Sequence, residues 1–146
     1  LFRDKIDDIM EQVKCPVAVF VNRGYREGAL VSFVLGGMID IFLLSYISIM
    51  LQNGHSVRLF LFDTDDEEFC RCMNDLQARY SGQITIVRFA GVEELVTREK
   101  DGLLVMSHLS YTKLSEDELV MRELSSLLVI RRNKNKGEKN ERLEIG

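Results

Sequence analysis

The sequence predicts an α/β fold: an open, mostly parallel five-stranded sheet with helices on both faces, preceded by an extra N-terminal helix and edge strand. From Leu30 to Ile130, short apolar segments rich in β-branched residues alternate with amphipathic segments. This alternation is typical of parallel strands joined by crossover helices. Before it, the apolar run Val17–Val21 is followed by a second apolar run after only a short polar linker. Two strands joined in this way indicate a seam between one structural unit and the next.

Composition limits the class of protein. The chain has 146 residues, 46% hydrophobic and 29% charged, which is typical of one globular domain with a sizeable core. The net charge is −4, and no basic stripe carries interleaved aromatic residues, so nucleic acid is not an expected partner. Cys15, Cys70 and Cys72 lack the spacing of a metal site, and we predict that they are buried, reduced thiols.

The individual elements follow from hydrophobic periodicity and from turn residues. The predicted helices are 3–13, 38–52, 64–80, 91–100 and a last one that begins at about 115. The predicted strands are 17–21, 30–35, 57–62, 83–89, 102–106 and 126–130. Two capping boxes and one hydrophobic staple are predicted, namely Thr64 with Glu67, Ser115 with Glu118, and Leu114 with Leu119.

The longest apolar run, Ala29 to Leu51, is long enough to span a bilayer. However, Gly36-Gly37 interrupts it, and Asp40 lies near its centre, where a carboxylate in lipid is energetically costly. A strand, a glycine turn and a buried helix explain the same residues, and we prefer this interpretation.

The chain also contains a weak internal repeat. The segment Ile9-Met10-Glu11-Gln12-Val13, which leads into Val17-Ala18-Val19, resembles Val120-Met121-Arg122-Glu123-Leu124, which leads into Leu128-Val129-Ile130. Both pass from an amphipathic helix through small polar residues into an apolar strand. Because helix-then-strand patterns are common, the similarity is compatible with chance as well as with a true repeat.

Two segments of the sequence resemble segments of a known protein family. Cys15-Pro16 followed by Asn22-Arg23-Gly24, and then Gly36-Gly37-Met38-Ile39-Asp40, are similar to segments of the cytoplasmic C-terminal region of monovalent cation:proton antiporters from bacteria and plants. In that family, the first segment lies at the end of one universal-stress-protein-like unit and the second lies at the start of the next. The chain departs from the family in two places. The family has Asp at the position of Asn22, and it has a longer Gly-Pro-containing segment before its last strand, where this chain runs from Glu123-Leu124 into Ser125-Ser126.

The resemblance implies a universal-stress-protein-like sheet with strand order 3-2-1-4-5, numbered from the strand that begins at Leu30. It implies three regions: 1–24 from the end of an upstream repeat, 29–131 as the complete α/β unit, and 132–146 as a flexible polar tail. The last strands of stress proteins often pair antiparallel across a dimer, so we expect Val17–Val21 at the edge beside Ser126–Ile130. The chain opens at Leu1 in a helical pattern, and we expect it to be part of a longer polypeptide.

The resemblance also implies a function, that of a non-catalytic regulatory and assembly domain of a bacterial sodium/proton antiporter, on the cytoplasmic side of the inner membrane. The expected partners are the membrane transport domain of the same polypeptide and a second copy in a homodimer. The alternative is a stand-alone stress-protein-like dimer that senses a nucleotide or another small ligand. A hydrolase is disfavoured, because the sequence contains no recognisable nucleophile–base pair.

The candidate ligand site is the edge where the parallel strands end, because open α/β sheets bind ligands there. Its residues are Gly36, Gly37, Asp40, Ser107 and His108. ATP-binding stress proteins carry a glycine-rich phosphate loop after the fourth strand, whereas residues 107–112 contain no glycine, so ATP is not an expected ligand. His108 has no partner at the spacing of a triad or a metal site. The sequence therefore predicts no catalytic residue, no metal and no cofactor.

The helix predicted at 38–52 is apolar over most of its circumference, so it should be buried on more than one side. Either the N-terminal helix covers it, or it forms an interface with another copy or with a membrane domain. The residues of this candidate interface, on the helix and on the last strand, are Ile41, Phe42, Leu44, Ile47, Met50, Leu128 and Ile130.

Overall fold

A computed structural model of the chain describes residues 2–62, 65–96 and 100–132, with side chains from Lys5 onward. The helices are α1 (Phe2–Gln12), α2 (Leu44–Gln52), α3 (Glu67–Arg79), α4 (His108–Leu114) and α5 (Glu118–Glu123), with 3-10 helices at Met38–Leu43 and Val92–Leu95. The strands are β1 (Val17–Val21), β2 (Val31–Leu35), β3 (Val57–Phe62), β4 (Ile84–Phe89), β5 (Leu103–Ser107) and β6 (Ser126–Arg131). Except for Arg132, the tail predicted at 132–146 lies outside the described residues.

The described strands form one six-stranded sheet in the order β1-β6-β5-β2-β3-β4. Neighbouring strands from β2 to β6 are parallel, and β1 is antiparallel to β6, with Val17 opposite Arg131 and Val21 opposite Leu127. The α/β class with a mostly parallel sheet and the edge position of β1 beside β6 are confirmed. The predicted five strands in the order 3-2-1-4-5 are not the whole sheet, because β1 is hydrogen-bonded to β6 and adds a sixth strand beyond it.

Helices cover both faces of the sheet, as predicted. On one face α1, α4 and α5 pack against the strands, and on the other α2 and α3 do so. The buried apolar residues of the helices are Ile6, Met10, Leu95, Tyr111, Leu114 and Met121 on the first face, and Leu43, Ile47, Leu51, Phe69, Met73 and Leu76 on the second. Because α1 and α2 lie on opposite faces, α1 does not cover α2, and that alternative is wrong.

Two helices differ from their predicted form, and a third was not predicted. The helix predicted at 38–52 begins as a 3-10 helix, in which the Asp40 side chain folds back and accepts a hydrogen bond from the amide of Gly36. The helix predicted at 91–100 is a 3-10 helix over Val92–Leu95, and residues 97–99 lie outside the described part of the chain. The sequence pattern does not predict α4, whose first turn is capped by Ser107, the last residue of β5.

The predicted capping box and staple before α5 are wrong. The helix is capped by Asp117, whose carboxylate accepts a hydrogen bond of 3.1 Å from the amide of Val120. Ser115 is buried instead at the end of α4, where its hydroxyl donates to the carbonyl of Thr112. Leu119 is 75% exposed, so it forms no staple. The N-cap thus lies two residues later than predicted, and its aspartate binds the amide three residues further on.

We expect Asp117→Ala to lower the free energy of unfolding by about 1 kcal/mol, because it leaves the amide of Val120 without its side-chain acceptor. Urea denaturation measures this change. The matched control is Glu116→Ala, which removes the neighbouring exposed carboxylate and should change the free energy by less than about 0.5 kcal/mol. Equal losses in the two variants would contradict the assignment of the cap.

Helix α3 shows a similar substitution of one cap for another. Its cap is Asp66, which accepts a hydrogen bond from the amide of Phe69, whereas the predicted cap Thr64 lies outside the described residues.

The same helix carries Cys70 and Cys72 beside its buried stripe, and both are partly exposed. Because Cys15 is exposed as well, the prediction that the thiols are buried is wrong.

Candidate functional site

A buried carboxylate lies where β2 and β5 end side by side at the carboxyl edge of the sheet. The chain passes from β2 towards β4 on one side and returns to β5 on the other, so this is the topological switch point. Asp40 is fully buried and accepts three hydrogen bonds there: from the amide of Gly36 at 2.6 Å, the hydroxyl of Ser107 at 2.5 Å and the hydroxyl of Ser110 at 2.7 Å. These groups form what we call the Asp40 network.

The backbone around Gly36 and Gly37 shapes this network. Gly37 has φ of 111°, a conformation that favours glycine, and it turns the chain so that Asp40 faces back to the end of β2. At Gly36, a Cβ atom would lie 3.2 Å from Oδ2 of Asp40 and 3.4 Å from Oγ of Ser110. The two glycines therefore allow the carboxylate to approach the backbone closely.

The Asp40 network consists of hydroxyl and amide donors that converge on one carboxylate. The hydroxyls of Ser107 and Ser110 both donate to the carboxylate, and the oxygen of Ser107 also accepts from the amide of Ser110 at 3.1 Å. The geometry is that of an oxyanion held by convergent donors.

His108 turns away from the Asp40 network. Its Nε2 atom lies 2.8 Å from Oδ1 of Asp7 in α1, and the two side chains are 20% and 37% exposed. Sequence spacing alone gave His108 no partner, because Asp7 precedes it by 101 residues. The pair fastens the first helix to the start of α4.

Of the five predicted site residues, the structure brings Gly36, Asp40 and Ser107 into one network, and Gly37 forms the adjoining turn. His108 is not part of it, and the sequence reasoning missed Ser110. The sequence does contain a signal for it, because Ser110 follows Ser107 by three residues. This is the spacing between an N-cap residue and the residue whose amide it binds. Beside the network is a small surface depression whose lining includes Gly36, Ser110 and Lys113.

A second set of polar contacts joins the two helix–strand pairs at the β1–β6 edge. The Arg131 guanidinium donates to the carbonyls of Met10, Val13 and Cys15, the last at 2.7 Å. These carbonyls lie at the end of α1 and just beyond it, where helical hydrogen bonding leaves acceptors unpaired. A cation there also interacts favourably with the helix dipole.

Arg23, which follows β1, makes the corresponding contacts at the end of α5. Its guanidinium donates to the carbonyls of Met121 at 2.6 Å and Leu124 at 3.0 Å, and its amide donates to Oγ of Ser126 at 2.8 Å. Burial lowers the pKa of the Arg23 guanidinium, and the nearby Tyr111 partly offsets that effect. We call these two sets of contacts the arginine clamps.

The arginine clamps are reciprocal. Arg131 at the end of β6 holds the helix that precedes β1, and Arg23 beyond β1 holds the helix that precedes β6. In the internal repeat, Met10 and Val13 occupy the positions of Met121 and Leu124. Both helices lie on the same face of an antiparallel strand pair. Each arginine thus reaches from one strand of the pair to the helix that precedes the other strand.

The predicted interface residues are not all at the surface. Ile47 is 0% exposed and Ile130 is 7% exposed, so both pack inside the chain. Partly buried positions are Ile41, Phe42, Leu44, Met50 and Leu128. The exposed apolar side chains of α2 are instead Tyr46 and Ile49, at 46% and 57%.

Comparisons with protein-family models, with curated proteins and with solved structures find no match to the chain. Within the described ranges, no helix has both the length and the apolar character needed to cross a bilayer. The same ranges contain no group of three or more His, Cys, Asp or Glu side chains placed to hold a metal ion.

Proposed function

We propose that this chain is a non-catalytic regulatory and assembly domain of a monovalent cation:proton antiporter, with a universal-stress-protein-like fold. In this proposal it lies on the cytoplasmic side of the cell membrane and acts on the transport domain of the same polypeptide. The observation that carries the proposal is the reciprocity of the arginine clamps. It supports the idea that α1 and β1 end one unit, that α5 and β6 end another, and that the two units join at β1 and β6.

The first segment that resembles the antiporter family, which ends in Asn22-Arg23-Gly24, has a structural role at this seam. Oδ1 of Asn22 accepts hydrogen bonds from the amides of Gly24 at 3.0 Å and Tyr25 at 3.2 Å, and Gly24 has φ of 101°. Arg23 lies within this turn, and its guanidinium donates from there to the carbonyl of Met121 in α5. An aspartate oxygen can accept the same two bonds, so the Asp of the family and Asn22 of this chain suit the same turn.

The proposed assembly includes contacts beyond the seam. Tyr46 and Ile49 on α2 are exposed, and so is Phe20 on β1, which makes an edge-to-face contact with Tyr25 at 6.2 Å between ring centroids. The second segment that resembles the family, Gly36-Gly37 with Asp40, forms part of the buried Asp40 network and does not form an exposed surface. We therefore assign regulation to contacts of the seam and of α2, and assign the Asp40 network a role within the domain.

The size and location of the native polypeptide test this proposal. We expect an antibody against the chain to detect a polypeptide much larger than 16.8 kDa that stays in the membrane pellet after an alkaline carbonate wash. Its intact mass should be large enough for several apolar membrane-spanning segments in addition to this chain. A native polypeptide of 16.8 kDa in the high-speed supernatant would refute the antiporter proposal.

A ligand screen separates regulation by contact from nucleotide sensing. The proposal predicts that ATP, AMP and cyclic dinucleotides produce no saturable rise in the Tm of the isolated chain, since binding to the folded state would raise it. The control is a titration with the corresponding nucleosides. A saturable rise with one nucleotide would favour a ligand-sensing stress protein instead.

A further inference from the structure

We infer that the crevice at the switch point is an anion-binding site that the chain fills with its own Asp40 carboxylate. The ligand class that the site fits is a small carboxylate, such as formate or acetate, which can take the place of Asp40 when that side chain is removed. This inference does not depend on the proposed role in transport.

The first argument is the convergence of donors from three separate segments. The amide of Gly36 follows β2, the hydroxyl of Ser107 ends β5, and the hydroxyl of Ser110 lies one turn into α4. All three point at the two oxygens of one carboxylate. Carboxylate oxygens accept hydrogen bonds, so the three donors and the group that they hold are complementary.

The second argument is burial. Asp40 is 0% exposed, Ser107 is 2% exposed and Ser110 is 7% exposed. A buried carboxyl group requires compensation by hydrogen bonds, and Asp40 accepts three from this network. Conversely, without the carboxylate the amide of Gly36 and two buried hydroxyls would lose their acceptor.

The third argument is access. Gly36 and Ser110 line both the Asp40 network and the neighbouring depression, and Lys113 lies on the same depression. A small anion can therefore approach the donors from the solvent side, past a positive charge, once the aspartate side chain is absent. In the native chain Asp40 occupies these donors, so an external phosphate or carboxylate does not reach them.

Chemical rescue of Asp40→Ala tests the inference. We expect this variant to unfold at a Tm about 10 °C below that of the native chain, because three buried donors lose their acceptor. Sodium formate or acetate should then raise its Tm saturably and recover about half of the loss. Sodium chloride at the same ionic strength should not. The matched control is Asp8→Ala, an exposed carboxylate whose removal should create no dependence on formate.

Asp40→Ala can be too unstable to purify, and a double-mutant cycle covers that case. Asp40→Asn and Ser110→Ala are compared singly and together, and the Tm loss of the double variant should be clearly smaller than the sum, since both changes remove one interaction. Additive losses would overturn the inference. So would equal effects of formate and chloride on Asp40→Ala.

Discussion

Replacing Ile47 by alanine is expected to lower the free energy of unfolding by about 3 kcal/mol. The side chain is fully buried in the core between α2 and the sheet, with Leu43 and Leu51 in the same cluster. Truncation removes buried methyl groups and leaves a cavity, because packed neighbours relax only partly. Urea denaturation monitored by circular dichroism measures the loss.

The matched control on the same helix is Ile49→Ala. Ile49 is 57% exposed, so its truncation removes little buried surface and should change the free energy of unfolding by less than about 0.5 kcal/mol. If α2 mediates self-association, Ile49→Ala should weaken it in sedimentation velocity, whereas Ile47→Ala should act on stability alone. A small effect at Ile47 would contradict the packing of α2 described above.

The strands could be predicted because their signal is local. Short apolar runs such as Val57–Phe62 are bounded by turn residues, and their alternation with helices indicates parallel pairing. The position of β1 beside β6 followed from the resemblance and from the need to cover an apolar edge strand. What the pattern does not contain is a tertiary contact, such as the bonds from Ser107 and Ser110 to Asp40, 67 and 70 residues away along the chain. A seven-residue helix such as α4 also gives too short a periodic signal.

Part of the candidate site was predictable for a geometric reason. The ends of neighbouring parallel strands meet at one edge, so Gly36 and Ser107 could be placed together from sequence. The contact between His108 and Asp7 depends on how α1 docks, which spacing along the chain does not reveal. The arginine clamps were missed because their acceptors are backbone carbonyls, which no residue type marks.

Arg131→Ala is expected to lower the free energy of unfolding by about 3 kcal/mol, since one half-buried guanidinium donates to three carbonyls at the end of α1. The loss should be local as well as global. Without its clamp, α1 is held mainly by the packing of Ile6 and Met10 and by the contact of Asp7 with His108. Amides of α1 should therefore exchange with deuterium much faster than those of β3, which lies inside the sheet.

Two further variants show whether geometry or charge causes this effect. Arg131→Lys keeps the charge but cannot serve three carbonyls from one planar group, so it should recover only part of the stability. Arg88→Ala removes an exposed arginine from β4, the strand at the opposite edge, and should change the free energy of unfolding by less than about 0.5 kcal/mol. If Arg131→Lys matched the native chain in stability and in exchange of α1, a charge at the helix end would suffice. The reciprocal geometry of the two arginines would then no longer support the seam as a junction between units.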